Sequence, residues 1–450
     1  MASSPTIARQ LADWATSVRI QDIPEDQRRL AALRLVDTIG LVFAGYESAA
    51  AAAVYDMVIT QGGRAESTLI GAGRRVPAAS AALAHGTVAH CRDFDDTFPD
   101  SVVHPGSVVV PVALALGGAN AVGLDRVLAA IVVGYEISAR LGAAAGRAFH
   151  AHGFHASAIV GPLAAAATAA RFLDLDSDQL ASALGVASSM SGGLLEFMTE
   201  GTWSKWLHTG WAAHGGITAA KLAVRGFLGP STAIEGRYGL YRSFLGADAP
   251  TLEAMASGLG RVWQGGSAHF KYYPCAHVIQ PYIDAALDLR KEHGINPAAI
   301  SSVACHIADW AVPIVCEPRI TKIAPSNEME AIASLPYQVA AALVDGAVGL
   351  DTIADGSVTR IDLRDLAARV VHVVDPSLGR SFDGILSVTL DNGTTLSAMA
   401  TTAPSNPAKV IEKFRGNAGA MLSPDGLERI TGFVENASDI DLKTLLGIIG

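Results

Sequence analysis

The fold is decided by two apolar runs, DRVLAAIVVGYEISARLGAAAG at residues 125–146 and ASAIVGPLAAAATAARFL at residues 156–173. A third run, PGSVVVPVALALGGANA at residues 105–121, has the same composition. Apolar residues recur in all three at the spacing of a helix, and the many Ala and Gly residues permit close helix contacts. Because no strands alternate with these helices, the sequence predicts a helical bundle over residues 77–224 instead of a parallel sheet.

The composition changes near residue 266, where β-branched residues become frequent. TRIDLRDLAARVVHVVD (359–375) is predicted to be a strand, and GILSVTLDNGTTLSAMATT (384–402) contains Asp391-Asn392-Gly393 between two alternating runs. Asn-Gly flanked by alternating runs is a strong hairpin signal. Helical periods lie between the strands and return in the tail. The sequence therefore predicts a mainly α chain, with helical segments at 1–268 and 406–450 and a smaller α+β segment at 269–405.

Composition and charge exclude several classes of function. The chain has 450 residues, of which 50% are hydrophobic and 17% charged, so it can bury a sizeable core. The net charge of −10 argues against a nucleic-acid partner. The longest membrane candidate, residues 102–122, is interrupted by His104, Pro105, Pro111 and Asn120 and is predicted to be a buried helix. We expect no signal peptide, no membrane partner and a cytoplasmic location. The four cysteines have no metal-ligand spacing and are expected to be free thiols.

The stretch AHCRDFDDTFPDSVVHPGS, residues 89–107, concentrates acidic side chains and a histidine between two apolar helices. If the preceding helix continues as far as Pro99, Asp93 and Thr97 share one helical face. His104-Pro105-Gly106 then forms a tight connection to the next helix. Such a group, in a chain poor in charge, indicates a site; an acidic loop after a helix is the structural alternative.

Four other stretches carry residues with possible chemistry. HAHGFHAS (150–157) ends in His155, but it offers no nearby acid or cysteine, and we expect no metal. EGTWSKWLHTGWAAHGG (200–216) places Lys205 between two tryptophans, where it can bind an anion or have a lowered pKa. HFKYYPCAH (269–277) places Lys271 and His277 at the change of composition. EPRITKIAPSNEME (317–330) supplies Arg319, whose guanidinium suits a carboxylate.

Motifs for nucleotide cofactors are absent from the sequence. It contains no GxGxxG after a strand, no GxxxxGK[ST], and no GxSxG, HExxH or CxxC. The remaining chemistry consists of acids, histidines and lysines, which suits proton transfer on an anionic substrate without a cofactor.

Taken in order, these stretches resemble the MmgE/PrpD superfamily. The resemblance rests on LRLVDTIGLVFAG, DFDDTF with HPGS, GFHAS, EGTWSKWLHTGWAAHGG with GFLGP, KYYPCAH and SLPYQVAAALVDG, and it covers nearly the whole chain. It implies a large helical domain with an inserted α+β lid, a homodimer, and no cofactor. It also implies a small di- or tricarboxylate as substrate.

The resemblance also implies a set of site residues. His104, Asp93, His155 and Lys205 are predicted to be catalytic, with His104 as an acid or base and Asp93 orienting it. Thr97, Lys271, Arg319 and His277 are predicted to bind substrate. The sequence departs from the family pattern at Gln280, where a histidine is common, and at Arg319, which aligns with a tyrosine of the cis-aconitate decarboxylases.

Three functions agree with these residues. The first is a lyase that removes a proton next to a carboxylate, as in 2-methylcitrate dehydration or a related decarboxylation. The second is an epimerase that acts on an amino- or imino-dicarboxylate such as iminodisuccinate, since dehydration and epimerisation need the same two proton carriers. The third is a non-catalytic paralogue that binds a polycarboxylate.

Overall fold

The computed structural model describes residues 5–435 and 440–450, and the side chain of residue 435 is excluded. The chain forms two compact units. The helical unit comprises the described parts of Met1–Cys91, Asp95–Phe270 and Pro407–Gly450. The α+β unit comprises Arg92–Phe94 and Lys271–Asn406.

The first part of the helical unit consists of helices and one short antiparallel hairpin. The hairpin follows the Gly-Gly turn near residue 62. In chain order these elements are α1 (Ile7–Ser17), α2 (Glu25–Gly45), α3 (Ala49–Gln61), β1 (Ser67–Leu69), β2 (Arg74–Val76), α4 (Ala78–His90), α5 (Gly106–Asn120), α6 (Leu124–Ala145), α7 (Ala148–Ala151), α8 (Ala156–Leu173), α9 (Ser177–Ser188), α10 (Phe197–Glu200), α11 (Ser204–Ala223) and α12 (Leu240–Leu245).

Small residues allow the central helices to approach closely. A Cβ atom added to Gly86 of α4 would lie 2.8 Å from the Cα atom of Gly210 in α11. A Cβ atom added to Gly161 of α8 would lie 2.8 Å from the Cβ atom of Ala212. Both distances are shorter than real carbon contacts, so a larger residue would separate the helices. The Ala- and Gly-rich composition thus produces the predicted bundle, and the prediction of a mainly α fold is confirmed.

Two helices, α6 and α8, are long and apolar enough to cross a membrane by length and composition. In each, 89% of the apolar window is buried inside the protein, which is the position of a core helix. The interrupted candidate at residues 102–122 contains α5, whose residues from Gly106 to Gly117 are buried.

The prediction that the helix before the acidic stretch continues to Pro99 is wrong. Helix α4 ends at His90, and Asp93 has a φ of 46°, so Asp93 and Thr97 share no helical face. The chain folds back because side chains in this stretch bind distant groups: Asp96 Oδ1 accepts a hydrogen bond from the Gly106 backbone N–H at 2.9 Å. Hydrogen bonds from backbone N–H groups to Asp side chains compete with helix formation in this way.

The α+β unit contains short helices and one mixed sheet. Its elements are α13 (Gln280–His293), β3 (Ile300–Ile307), α14 (Val312–Val315), α15 (Arg319–Ile323), α16 (Glu328–Ile332), α17 (Leu335–Asp345), α18 (Leu350–Ile353), α19 (Asp355–Val358), α20 (Ile361–Ala367), β4 (Val370–Val374), β5 (Gly384–Leu390) and β6 (Thr395–Ala400). The strand order is β4-β3-β5-β6; β3 and β4 are parallel, and the other neighbours are antiparallel.

The predicted hairpin at Asp391-Asn392-Gly393 is confirmed, since β5 and β6 pair directly across it and Gly393 has a φ of 84°. The strand predicted over residues 359–375 is half wrong. Its first part forms α20, where Leu363, Leu366 and Ala367 are buried at helical spacing, and only its end forms β4.

Three further helices complete the helical unit, namely α21 (Pro407–Ala418), α22 (Pro424–Glu435) and α23 (Leu442–Ile449). Helix α21 packs on α2, where a Cβ atom added to Gly40 would lie 3.0 Å from the Phe414 ring. Lys413 forms a buried ion pair with Asp37 at 2.7 Å across the same contact. Cys91, Cys275, Cys305 and Cys316 are buried thiols that form no disulfide in the described part of the chain, as expected.

Candidate active site

Three buried histidines of the helical unit, His90, His104 and His155, form what we call the histidine cluster. One ring nitrogen of each lies within 4.8 Å of the others. Their side chains come from the end of α4, the turn before α5 and the N-terminal cap of α8. The His90 and His155 rings are stacked with centroids 5.6 Å apart, and the His90 and His104 centroids are 4.9 Å apart. Buried imidazoles so close together are suited to proton exchange or metal binding.

A carboxylate fixes the orientation of His90. His90 Nδ1 lies 2.9 Å and 3.0 Å from the two oxygens of Asp95, and Ser107 Oγ donates to Asp95 at 2.7 Å. An ionised carboxylate only accepts hydrogen bonds, so Nδ1 carries the hydrogen and Nε2 of the neutral ring presents a lone pair. Nε2 is buried and has no hydrogen-bond partner among the described residues.

The turn around His104 is held by both its backbone and its side chain. The His104 backbone N–H donates to Ser157 Oγ at 2.9 Å. His104 Nδ1 lies 3.1 Å from the Asp96 carbonyl oxygen and 3.1 Å from Thr97 Oγ1. A carbonyl only accepts, so Nδ1 carries the hydrogen and donates. The Asp95 carboxylate lies 3.6 Å from Nδ1.

The Asp96 side chain holds this turn in place. Besides the Gly106 N–H, it accepts a hydrogen bond from the Tyr135 hydroxyl at 2.7 Å, and Arg34 Nε lies 3.8 Å away. Burial raises the pKa of Asp96 to about 6, although the Arg34 charge opposes the rise. A Cβ atom added to Gly106 would lie only 2.6 Å from Asp96 Oδ1, so the turn requires glycine there.

His155 is held in a chain of neutral histidines. Its Nδ1 lies 3.1 Å from Nδ1 of His208, which requires one ring to donate and the other to accept. Burial, together with the neighbouring histidines, moves the pKa of His155 well below its ordinary value. Burial also lowers the pKa of His208 to about 4, with smaller contributions from His90 and Lys205. The half-buried Lys205, in the first turn of α11, therefore acts electrostatically on the edge of the cluster.

Within the α+β unit, Asp93 and Lys271 form a buried ion pair. Lys271 Nζ donates to Asp93 Oδ1 at 2.8 Å and to the Asp93 carbonyl at 2.7 Å. Gln280, at the position where the family pattern has a histidine, braces the loop that carries Lys271. Its Oε1 accepts from the backbone N–H groups of Tyr272 and Tyr273, and its Nε2 donates to the Tyr273 carbonyl.

Arg319 and His277 have structural contacts in the same unit. The Arg319 guanidinium donates to the carbonyls of Val370 at 3.0 Å and Ala368 at 2.8 Å. The His277 ring packs on Phe382 with centroids 5.1 Å apart. Their roles in substrate binding stay predictions.

Comparison with known proteins gives the same family for both parts of the chain. Residues 9–253 match the MmgE/PrpD N-terminal domain, and residues 273–439 match the MmgE/PrpD C-terminal domain. This chain belongs to the MmgE/PrpD family. The cis-aconitate decarboxylase of Homo sapiens is 32% identical over 392 residues, covering 83% of this chain and 80% of the relative. That of Mus musculus is 31% identical over 388 residues, covering 82% and 77%. That of Aspergillus terreus is 24% identical over 476 residues, covering 98% and 96%. This MmgE/PrpD protein is therefore an enzyme of the lyase type.

The structure divides the predicted site residues of this MmgE/PrpD protein into groups. His104, Thr97 and His155 come together in the helical unit, with Lys205 close enough to influence His208. Asp93 and Lys271 contact each other. Sequence reasoning named neither His90 nor Asp95 as a site residue. The spacing of five residues between them was the available signal, since a chain that turns after His90 can bring Asp95 back to its ring.

Proposed function

We propose that this lyase acts on a small di- or tricarboxylate by moving a proton at a carbon next to a carboxylate, and that cis-aconitate is its first candidate substrate. The observation that carries the proposal is the buried His104, whose Nδ1 is fixed by the Asp96 carbonyl so that protons are exchanged at Nε2. The names of the relatives support cis-aconitate as the substrate.

In this proposal the two histidines have different roles. We assign the delivery of the proton to His104, which lies 3.6 Å from the Asp95 carboxylate. His155 has a lowered pKa and stays neutral at pH 7, so it accepts one. In a decarboxylation the electrons of the breaking carbon–carbon bond pass to the substrate skeleton, and His104 protonates the carbon that receives them. In a dehydration His155 removes the α-proton, and His104 protonates the departing hydroxyl.

Cationic side chains would hold the substrate carboxylates. Lys205 is half-buried beside the histidines and can offset the negative charge of an enolate-like state, an effect that is worth a few kcal/mol in a dry site. Lys271 already pairs with Asp93. Because the Asp93 carboxylate neutralises most of its positive charge, Lys271 can attract a substrate carboxylate only weakly. Lys205 is therefore our first candidate for a substrate contact, and substrate binding by Lys271 stays a prediction.

Proton NMR in D₂O with cis-aconitate, 2-methylcitrate and iminodisuccinate tests the proposal. Loss of CO₂ or of water from one of the first two supports it and identifies the reaction. Deuterium entering next to a carboxylate without net conversion would replace the lyase by an epimerase. No exchange and no conversion with all three substrates would overturn the proposal.

A further inference from the structure

We propose that the histidine cluster binds one divalent transition metal ion, zinc in preference, and that the bound ion inhibits the enzyme. The inhibitory part rests on the proposed function, since it assumes that His104 and His155 move protons. The binding part rests only on the geometry of His90, His104 and His155.

The first argument is the unused lone pair of His90. Asp95 holds the hydrogen on Nδ1, so Nε2 is a buried acceptor with no partner among the described residues. An unsatisfied buried polar atom is unfavourable by about 1–3 kcal/mol. A metal ion would use this lone pair directly, and neutral imidazole is the form that binds.

The second argument is the carboxylate behind the ligand. Metal-binding histidines usually donate their other ring N–H to a carboxylate, which fixes the ring and makes it a stronger ligand. Asp95 has this position toward His90, and Ser107 in turn fixes Asp95. His155 is likewise fixed through Nδ1, by His208, and His104 through Nδ1, by the Asp96 carbonyl. Each of the three rings is therefore oriented through Nδ1, and Nε2 is the candidate ligand atom, with the unsatisfied Nε2 of His90 as the first ligand.

The third argument is distance. One ring nitrogen of each histidine, Nδ1 or Nε2, lies within 4.8 Å of those of the other two, whereas ligands of tetrahedral zinc at about 2.0–2.1 Å lie about 3.4 Å apart. Closing this difference requires each nitrogen to move by at most roughly 1 Å, which small ring rotations can supply. Zinc suits three imidazoles and leaves a fourth position for water or a substrate carboxylate.

Inhibition follows from the use of the same lone pairs. A ring nitrogen that binds zinc can neither accept nor deliver a proton, so an enzyme with zinc on His104 and His155 loses both proton carriers. The inference therefore assigns to His90 a role that the reaction does not give it, as the third ligand of an inhibitory site.

Zinc binding is measured on the whole purified protein, without substrate, by competition with a chromophoric chelator. We expect one zinc ion per chain, with X-ray absorption showing nitrogen ligands at about 2.0 Å. His90→Asn should weaken binding by more than about 100-fold, since the loss of an outer partner alone weakens metal sites 10–100-fold. The Asn side chain can still donate to Asp95, so this variant keeps the local fold. Asp95→Asn should weaken binding by about 10–100-fold.

The matched controls are His152→Ala and His293→Ala, which remove more exposed imidazoles. Both should leave the zinc affinity unchanged. If the controls lose the zinc and His90→Asn keeps it, the ion is bound at the surface and the proposal fails. An absence of stoichiometric binding also overturns it.

Turnover assays complete the test. Zinc should inhibit the wild-type enzyme over the concentration range in which it binds, and a chelator should restore activity. Activation by zinc would overturn the inhibitory role. A protein that binds zinc but converts no substrate would contradict the proposed function and support the metal site. An active protein that binds no zinc would support the proposed function and contradict the metal site.

Discussion

Two carboxylates, two residues apart in the sequence, have opposite kinds of partner. Asp93 pairs with the ammonium of Lys271, and Asp95 pairs with the imidazole of His90 and lies near that of His104. The first pair joins a carboxylate to an ammonium ion, which only donates. The second joins a carboxylate to an imidazole, whose two nitrogens can donate or accept. Proximity in sequence therefore does not give the two acids the same kind of partner, and our proposed proton transfer uses the histidines near Asp95.

The largest expected effect comes from removing the proton carrier on the Asp95 side. His104→Gln should lower kcat by about 10²- to 10⁴-fold, because general acid–base groups contribute that much. The measurement is the NMR conversion assay with the substrate that the wild-type enzyme converts. Circular dichroism should show an unchanged helix content, since the residue lies in a turn. Retention of full activity would show that His104 is not a proton carrier.

Breaking the ion pair between Asp93 and Lys271 should mainly lower the stability of the fold. Lys271→Ala leaves the Asp93 carboxylate buried without its cation and should lower the free energy of unfolding by about 3–5 kcal/mol. Urea denaturation measures this change. The control is the double variant Asp93→Asn with Lys271→Met, which removes both charges and should recover most of the loss. If KM stays unchanged in the double variant, neither side chain binds substrate.

His85 is a third case, a histidine whose ring is bound by a backbone N–H group. His85 is buried, its Nε2 accepts the Ile70 N–H at 3.0 Å, and burial lowers its pKa to about 3. Because the folded pKa lies below the ordinary value of 6.5, its neutral form stabilises the fold above pH 6.5. This stabilisation is lost as the pH falls from 6.5 toward 3, by up to about 1.4 kcal/mol per pH unit.

The control for this pH dependence is His85→Gln, which offers an acceptor oxygen near the position of Nε2 but does not titrate in this range. Urea denaturation between pH 4.5 and pH 8 should show a shallower acid limb for the variant than for the wild type. His150, His155 and His208 also have lowered pKa values, so both proteins keep a common slope. Identical slopes for the two proteins would contradict the assignment to His85.

The smallest expected effect concerns the backbone that presents His104. Val102 has a φ of 55°, a region that β-branched residues rarely occupy. Val102→Gly should relieve about 1–2 kcal/mol of left-handed strain and lose part of that gain to the freer unfolded chain. A net stabilisation of about 1 kcal/mol or less should appear as a higher Tm. A clear loss of stability would show that the half-buried Val102 side chain contributes more than its backbone conformation removes.

The sequence predicts features that depend on neighbours along the chain. The apolar runs of α5, α6 and α8 predict core helices because their period is local, and Asp391-Asn392-Gly393 predicts its hairpin because three residues determine the turn. The strand predicted over residues 359–375 was wrong in its first part, which is a helix with Leu363 and Leu366 buried. A short apolar run followed by β-branched residues agrees with both the helical and the strand period.

The site was harder to predict because its bonds join distant residues. Helix α4 ends at His90 since Asp95 returns to His90 and Asp96 binds the Gly106 backbone, and neither bond is visible in the order of the residues. Resemblance to the MmgE/PrpD family named His104, Thr97 and His155, which the fold brings close to one another. It did not name His90, which lies at the end of an apolar helix outside the quoted motifs.

Gly106 has a consequence for reading related sequences. Its hydrogen position faces Asp96 Oδ1, and even a methyl group there would displace the carboxylate that ties the turn to Tyr135. The position therefore works as a marker that can be read without a structure. A homologue with alanine or a larger residue there must have rebuilt the turn that carries the histidine equivalent to His104, and its substrate should be determined independently.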